Sequence, residues 1–265
     1  MEKMNKFIPT IVSRPQSSNL MNVLVPVIAV ILTLLTGSII FSIMGFNPFF
    51  ALHTFFISPI STSYGISELL VKATPLALIA IGLAFCFKNN IYNIGAEGQL
   101  TMGAIFGGGI GIYFYDTNAF WLLPLMILGG AIGGALWAMI PALLKTKFNT
   151  NEILTSLMLV YVALLILDYL VVGPWKDPLG YSFPKTRQFS ESGRMPLLFS
   201  GLRVHFGLII TLVLIFFSWF IFSKTIFGFQ LKVSGYSPTA ARYAGFSQNI
   251  LVYLAFGICG AFAGI

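Results

Sequence analysis

Apolar stretches of about span length follow one another along this chain, at roughly 23–46, 69–87, 94–115, 120–144, 151–173 and 205–223, with a last one opening near 248. A helix needs about 20 such residues to cross the hydrocarbon core of a bilayer. Inside that core every backbone N–H and C=O must be satisfied within the segment, which a helix does. The expectation is an all-α, polytopic membrane protein with six complete transmembrane helices and a seventh that is cut off. The run "NILVYLAFGICGAFAGI" reaches Ile265 still apolar, so the chain is expected to be the front part of a longer one, incomplete at its C-terminus.

Polar chemistry is scarce: 57% of the 265 residues are hydrophobic and 9% are charged. A soluble domain carries roughly 25% charged residues, so this surface suits lipid rather than water. The net charge of +7 then needs no nucleic acid to explain it, because basic residues collect in the cytoplasmic loops of membrane proteins.

Residues 1–22 read as a cytoplasmic tail, and 23–265 as a membrane domain with an outer loop at 174–204 and a cytoplasmic loop at 224–247. Lys3, Lys6 and Arg14 precede the first span as in a secretory signal, but no small-residue cleavage site follows. With the N-terminus inside, the short inner segments gather Lys88, Lys145, Lys147, Lys224, Lys232 and Arg242. Asn47 and Pro48 suit the cap and first position of a short outer helix that Pro59 ends. Glu68 and Lys72 stand four apart in the favourable order for an ion pair.

Enzyme signatures are missing from the sequence. It has no GxxxxGK[ST], GxSxG or HExxH pattern, and "GGGIG" at 107–111 does not complete GxGxxG. His53 and His205 are isolated, and Cys86 and Cys259 read as small core residues, so neither a metal nor a disulfide is expected. Gly103, Gly107 and Gly111, with the pairs Gly129/Gly133 and Gly130/Gly134, form overlapping GxxxG steps, which are expected to pack helix against helix.

The segment "NNIYNIGAEGQL" at 89–100 sets three Asn, a Glu and a Gln directly against apolar runs. Facing lipid, Glu97 alone costs a few kcal/mol. Two readings stay open on these residues. One is a broken helix near residues 89–100, with Asn93, Glu97 and Gln99 bordering a translocation pathway. The other is an ordinary helix start at the inner interface, with Asn93 as N-cap and Glu97 near the positive end of the helix dipole. A second polar feature, "GYSPTAARYAGF", predicts a two-turn helix outside the membrane, from the Ser237 cap and Pro238 through Ala240 and Ala241 to the C-terminal cap Gly245. Tyr243 and Phe246 give it aromatic surface for a partner's groove.

The blocks "NPFFALHTFF", "ELLVKATPLALIAIGLAF", "YNIGAEGQLTMGA", "ALWAMIPALLKTKFNTNEILTSLMLVYVA", "YLVVGPWKDP" and "FGFQLKVSGYSPTAARYAG" run in order through most of residues 46–265. In them the chain resembles an ABC-importer permease of the branched-chain amino acid, ribose and nucleoside group, closest to its simple-sugar and nucleoside branch. The resemblance implies a subunit of the bacterial inner membrane with no ATPase site of its own. Its implied partners are a second permease subunit, a cytoplasmic ATP-binding subunit that hydrolyses the ATP, and an extracytoplasmic lipoprotein or periplasmic protein that delivers substrate. It also implies that Ser237, Pro238, Ala240, Ala241, Arg242, Tyr243 and Gly245 form the coupling helix docked on the ATPase, and that Asn93, Glu97 and Gln99 border the path. Val160 departs from the pattern, in which Asn is expected, and this weakens any polar role for the fifth span. The rival reading is an ion- or proton-coupled secondary transporter with Glu97 as the titrating group.

Overall fold

The computed structural model describes residues 18–181 and 183–265, so Lys3, Lys6, Arg14 and most of the expected tail lie outside the described residues. The described residues form ten α-helices: α1 Asn19–Ile43, α2 Pro48–Leu52, α3 Ser63–Lys88, α4 Ala96–Tyr113, α5 Leu122–Phe148, α6 Glu152–Val172, α7 Gly207–Lys224, α8 Ile226–Tyr236, α9 Pro238–Tyr243 and α10 Gln248–Gly264. Extended pairing among the described residues is limited to two isolated bridges, Lys176 with Thr186 and Leu197 with His205. The all-α expectation holds. Among the described residues five helices, α1, α3, α5, α6 and α7, are long and apolar enough to cross a membrane, while α10 is a shorter apolar helix. The Gly-rich α4 is 18 residues long and begins two residues later than the apolar run suggests.

The chain divides into two compact units with the boundary between Ile66 and Ser67. In the first, α1 already starts at Asn19 rather than after residue 22, and its Val, Leu and Ile side chains stand exposed around the helix, as a lipid-facing span requires. Gly45, at φ +81°, ends it, with the Phe46 N–H bonded to the Phe41 carbonyl. Asn47 then caps α2 as expected, its Oδ1 accepting from the N–H groups of Phe49 and Phe50 at 3.0 and 3.3 Å. Pro59 does not stop the helical path there: a π turn over His53–Ile57 and a 3₁₀ turn over Ser58–Ile60 carry it on.

The second unit is built on α4, α5 and α10, which meet through glycine. A Cβ at Gly134 would fall on the Gly260 carbonyl, and one at Gly103 on the Gly264 backbone. With little hydrophobic force between helices in lipid, such backbone contact is what holds spans together, as the GxxxG steps predict. Beside them, Phe85 of α3 is fully buried against Phe222, Phe227 and Phe262, joining α3, α7, α8 and α10 in one core.

The connections sort to two ends of this unit, as alternating spans demand. At one end Lys145 pairs with Glu152 at 2.6 Å and α8 lies against the end of α3. At the other, Ser192 bonds to the Thr117 carbonyl at 3.0 Å, Phe189 covers Gly111, and the Arg187 guanidinium stacks over the Tyr115 ring. Here the expected Glu68–Lys72 pair is replaced. Glu68 meets Arg203 at 3.2 Å, because the loop before α7 brings a guanidinium to the start of α3.

Candidate translocation and coupling sites

The polar segment is the non-helical connection between α3 and α4. The helix α3 closes at Lys88 with a left-handed Asn90 (φ +55°), the Asn90 N–H bonding to the Phe87 carbonyl and the Ile91 N–H to the Cys86 carbonyl, both at 3.0 Å. No helix resumes until Ala96. At the contact of Gln99 with Gly134, α5 still has roughly 20 Å to run toward this end, and at the contact of Gly98 with Val160, α6 has about 12 Å. The entry to α4 therefore lies between α5 and α6, short of their ends, where buried backbone groups need protein or water partners.

Protein supplies them here. The Asn93 side chain is 2% exposed, and its Oδ1 accepts from the Gly95 N–H at 3.0 Å. Its Nδ2 donates to Gln99 Oε1 at 3.1 Å and to Cys259 Sγ at 3.2 Å. The Ile94 N–H donates to Ser156 Oγ of α6 at 3.2 Å, and the Gln99 N–H returns to the Gly95 carbonyl at 3.1 Å. Asn93 is thus not the N-cap residue, which is Gly95, but the clasp that holds the entry to α4. Gly95 and Gly98 let α6 approach closely, since a Cβ at either would lie within 3 Å of Ser156 or Val160 atoms. Val160 itself is buried in that contact.

The predicted trio therefore splits. Asn93 and Gln99 meet in the interior, while Glu97 is exposed in the first turn of α4 and forms no ion pair among the described residues. Ser156 and Cys259 belong to the same network. Nothing local in the sequence marked either one, because each comes from a helix far along the chain. A cavity of about 400 Å³ between α3, α4, α7 and α10 is lined mainly by apolar residues, with Thr74 and His205 its polar ones, and includes none of the trio.

The second site follows its local signals closely. Ser237 Oγ accepts from the Ala240 N–H at 3.3 Å, Pro238 takes the first position of α9, and Gly245 closes the helix at φ +79° with the Phe246 N–H bonded to the Ala241 carbonyl. A further bond from Gln248 Nε2 to the Pro238 carbonyl at 2.7 Å ties α9 to α10. Ala241 is the buried residue of α9 and Tyr243 is 99% exposed, with Pro238, Ala240, Arg242 and Gly245 exposed beside it. Ala241 seats the helix, and the others form its outer face.

Among the described residues no group of three or more His, Cys, Asp or Glu side chains stands close enough to hold a metal ion. No solved structure matches the chain. Among curated proteins, the glucose ABC transporter permease protein TsgB13 of Haloferax volcanii is 34% identical over 91% of this chain and 65% of its own length. The guanosine ABC transporter permease protein NupP of Bacillus subtilis is 33% identical over 93% of this chain and 71% of its own. The nucleoside ABC transporter permease protein NupB of Lactococcus lactis is 30% identical over 92% and 69%. The chain thus spans about two thirds of the length of these relatives. A family model, branched-chain amino acid transport system, permease component, matches residues 65–265, from the start of α3 through α10. With that model covering most of its length, the chain belongs to the branched-chain amino acid transport permease family.

Proposed function

We propose that this protein is the permease subunit of an ATP-driven importer and forms part of the transmembrane path for nucleosides or simple sugars. The observation that carries the proposal is α9: a six-residue helix outside the spans, capped at both ends, seated by Ala241 and presenting Tyr243 almost fully to solvent. A helix this short has no stability of its own, so its fixed outward face suits a rigid lever between a partner's groove and the spans. Family membership supports an ATP-binding subunit as that partner, with a second permease and an extracytoplasmic binding protein completing the assembly. On this reading the N-terminus and α9 lie on the cytoplasmic side of the plasma membrane of a bacterial-type cell, and ATP is hydrolysed by the partner.

Glu97 borders the path. A carboxylate on the outside of one subunit, in the first turn of a helix that starts below the ends of its neighbours, needs water or a second subunit beside it rather than lipid. The experiment is substrate uptake by cells carrying the whole system, read with ATP depletion and with a protonophore applied separately. Loss of uptake on ATP depletion alone, with Glu97→Gln keeping the pH profile, supports the importer. Loss with the protonophore at full ATP, together with a pH dependence that Glu97→Gln removes, replaces it with the secondary carrier.

A further inference from the structure

The end of α3 and the last turns of α8 enclose a cleft of about 350 Å³, lined by Phe87, Lys88, Asn90, Lys232, Gly235 and Tyr236. Gly235 fixes its walls, since a Cβ there would fall on the Lys88 carbonyl and reach the Asn90 nitrogen at 3.2 Å. Both lysines are exposed, neither joins an ion pair among the described residues, and no acidic residue lines the cleft. Two cations held this way repel each other, and an anion between them relieves the repulsion.

The apolar neighbours decide what kind of anion it is. Phe87 is 53% exposed, and its ring lies 5.9 Å from that of an equally exposed Tyr92, the two planes tilted by 46°. Along α8, Ile226 and Phe229 stand exposed on the face that leads to Lys232 and Tyr236. This sequence of apolar residues, then lysine, then tyrosine is the order of a membrane boundary: acyl chain, phosphate, water. An acidic side chain from a soluble partner would satisfy the lysines and leave Phe87, Ile226 and Phe229 in water.

We propose that the cleft binds the phosphate of an anionic phospholipid in the adjoining leaflet. Lys88 and Lys232 clamp the phosphate, Tyr236 lies at headgroup depth, and the acyl chains run along Phe87, Ile226 and Phe229. Basic pockets of this kind between helix ends are where lipid headgroups are selected. Bound lipid then bridges α3, whose end opens the polar break, to α8, which leads into α9.

The test is thermal unfolding of the full chain purified in neutral detergent, with added phosphatidylglycerol, phosphatidylcholine or inorganic phosphate. Phosphatidylglycerol at about ten times its dissociation constant is expected to raise the midpoint by about 3–5 °C, with no shift from the other two. The Lys88→Gln/Lys232→Gln pair should lose that shift, Lys88→Arg/Lys232→Arg should keep it, and Lys224→Gln, outside the cleft, should keep it too. An equal shift from phosphatidylcholine or inorganic phosphate overturns the proposal, as does an unchanged shift in the glutamine pair. So does an equal loss in Lys224→Gln, which assigns the effect to the charge of the whole face. If the glutamine pair retains the lipid shift but no longer co-purifies with an ATP-binding subunit, the cleft belongs to a protein partner instead.

Discussion

Asn93 Nδ2 lies 3.1 Å from Gln99 Oε1, and the two side chains, 2% and 1% exposed, face each other across the start of α4. This bond holds the Asn93 side chain in place, so that its Oδ1 can accept from the Gly95 N–H at the entry to α4. It makes the non-helical entry to α4 a built feature rather than a frayed end.

Removing the clasp should therefore cost stability. Asn93→Ala frees the Gly95 N–H and the side-chain Oε1 of Gln99 in the interior, at about 1–3 kcal/mol for each buried group left unpaired. Gln99→Ala loses one of those bonds and should fall short of it. Detergent-solubilised yield and the unfolding midpoint of both variants check the order.

Glu97→Gln should behave oppositely. The side chain is exposed and unpaired among the described residues, so the unfolding midpoint is expected to stay where it is while uptake falls. A midpoint that drops as far as in Asn93→Ala would put Glu97 in the clasp and remove it from the path.

The glycines separate into two kinds that composition alone does not distinguish. Gly134→Ala sets a methyl group on the Gly260 carbonyl and must move α10 off α5, whereas a Cβ at Gly37 meets nothing within 4 Å. Gly134→Ala is expected to destabilise by more than about 2 kcal/mol. Gly37→Ala should be neutral or gain up to about 1 kcal/mol from helix propensity. Equal yields of the two folded variants would contradict this packing.

What could be read from the sequence was what depends on near neighbours. The spans follow from runs of apolar residues, and both capped short helices follow from Asn47-Pro48 and from Ser237-Pro238 with Gly245, where each bond spans only a few residues. The same local logic pairs Glu68 with Lys72, whereas Glu68 meets Arg203, which only the fold of the loop before α7 brings near. The clasp shows the same limit: the polar character of 89–100 was visible, but Ser156 and Cys259 come from α6 and α10. The division of Asn93 and Gln99 from Glu97 depends on which way α4 is turned against α5 and α10, and no local pattern encodes that.

The Glu68–Arg203 pair should matter little to stability. The Arg203 side chain is 64% exposed, so solvent screens the attraction, and Arg203→Ala is expected to cost no more than about 1 kcal/mol, less at high salt. The unfolding midpoint of Arg203→Ala at low and at high salt measures it.

On α9 the sequence treats Ala241 and Tyr243 alike, and the structure does not. Ala241 is buried and its carbonyl accepts the closing bond from Phe246, so Ala241→Leu must lift the helix from its seat and should lower the unfolding midpoint. Tyr243 is 99% exposed, so Tyr243→Ala should leave the midpoint unchanged. If α9 docks into an ATP-binding subunit, Tyr243→Ala and Arg242→Ala should weaken co-purification of that subunit and depress uptake several-fold in a protein that still folds. Truncating a buried anchor at an interface typically costs more than 1 kcal/mol of binding, a loss of more than about fivefold. Co-purification and uptake both at wild-type levels in the Arg242→Ala/Tyr243→Ala double variant would remove the coupling role from α9 while leaving its fold intact.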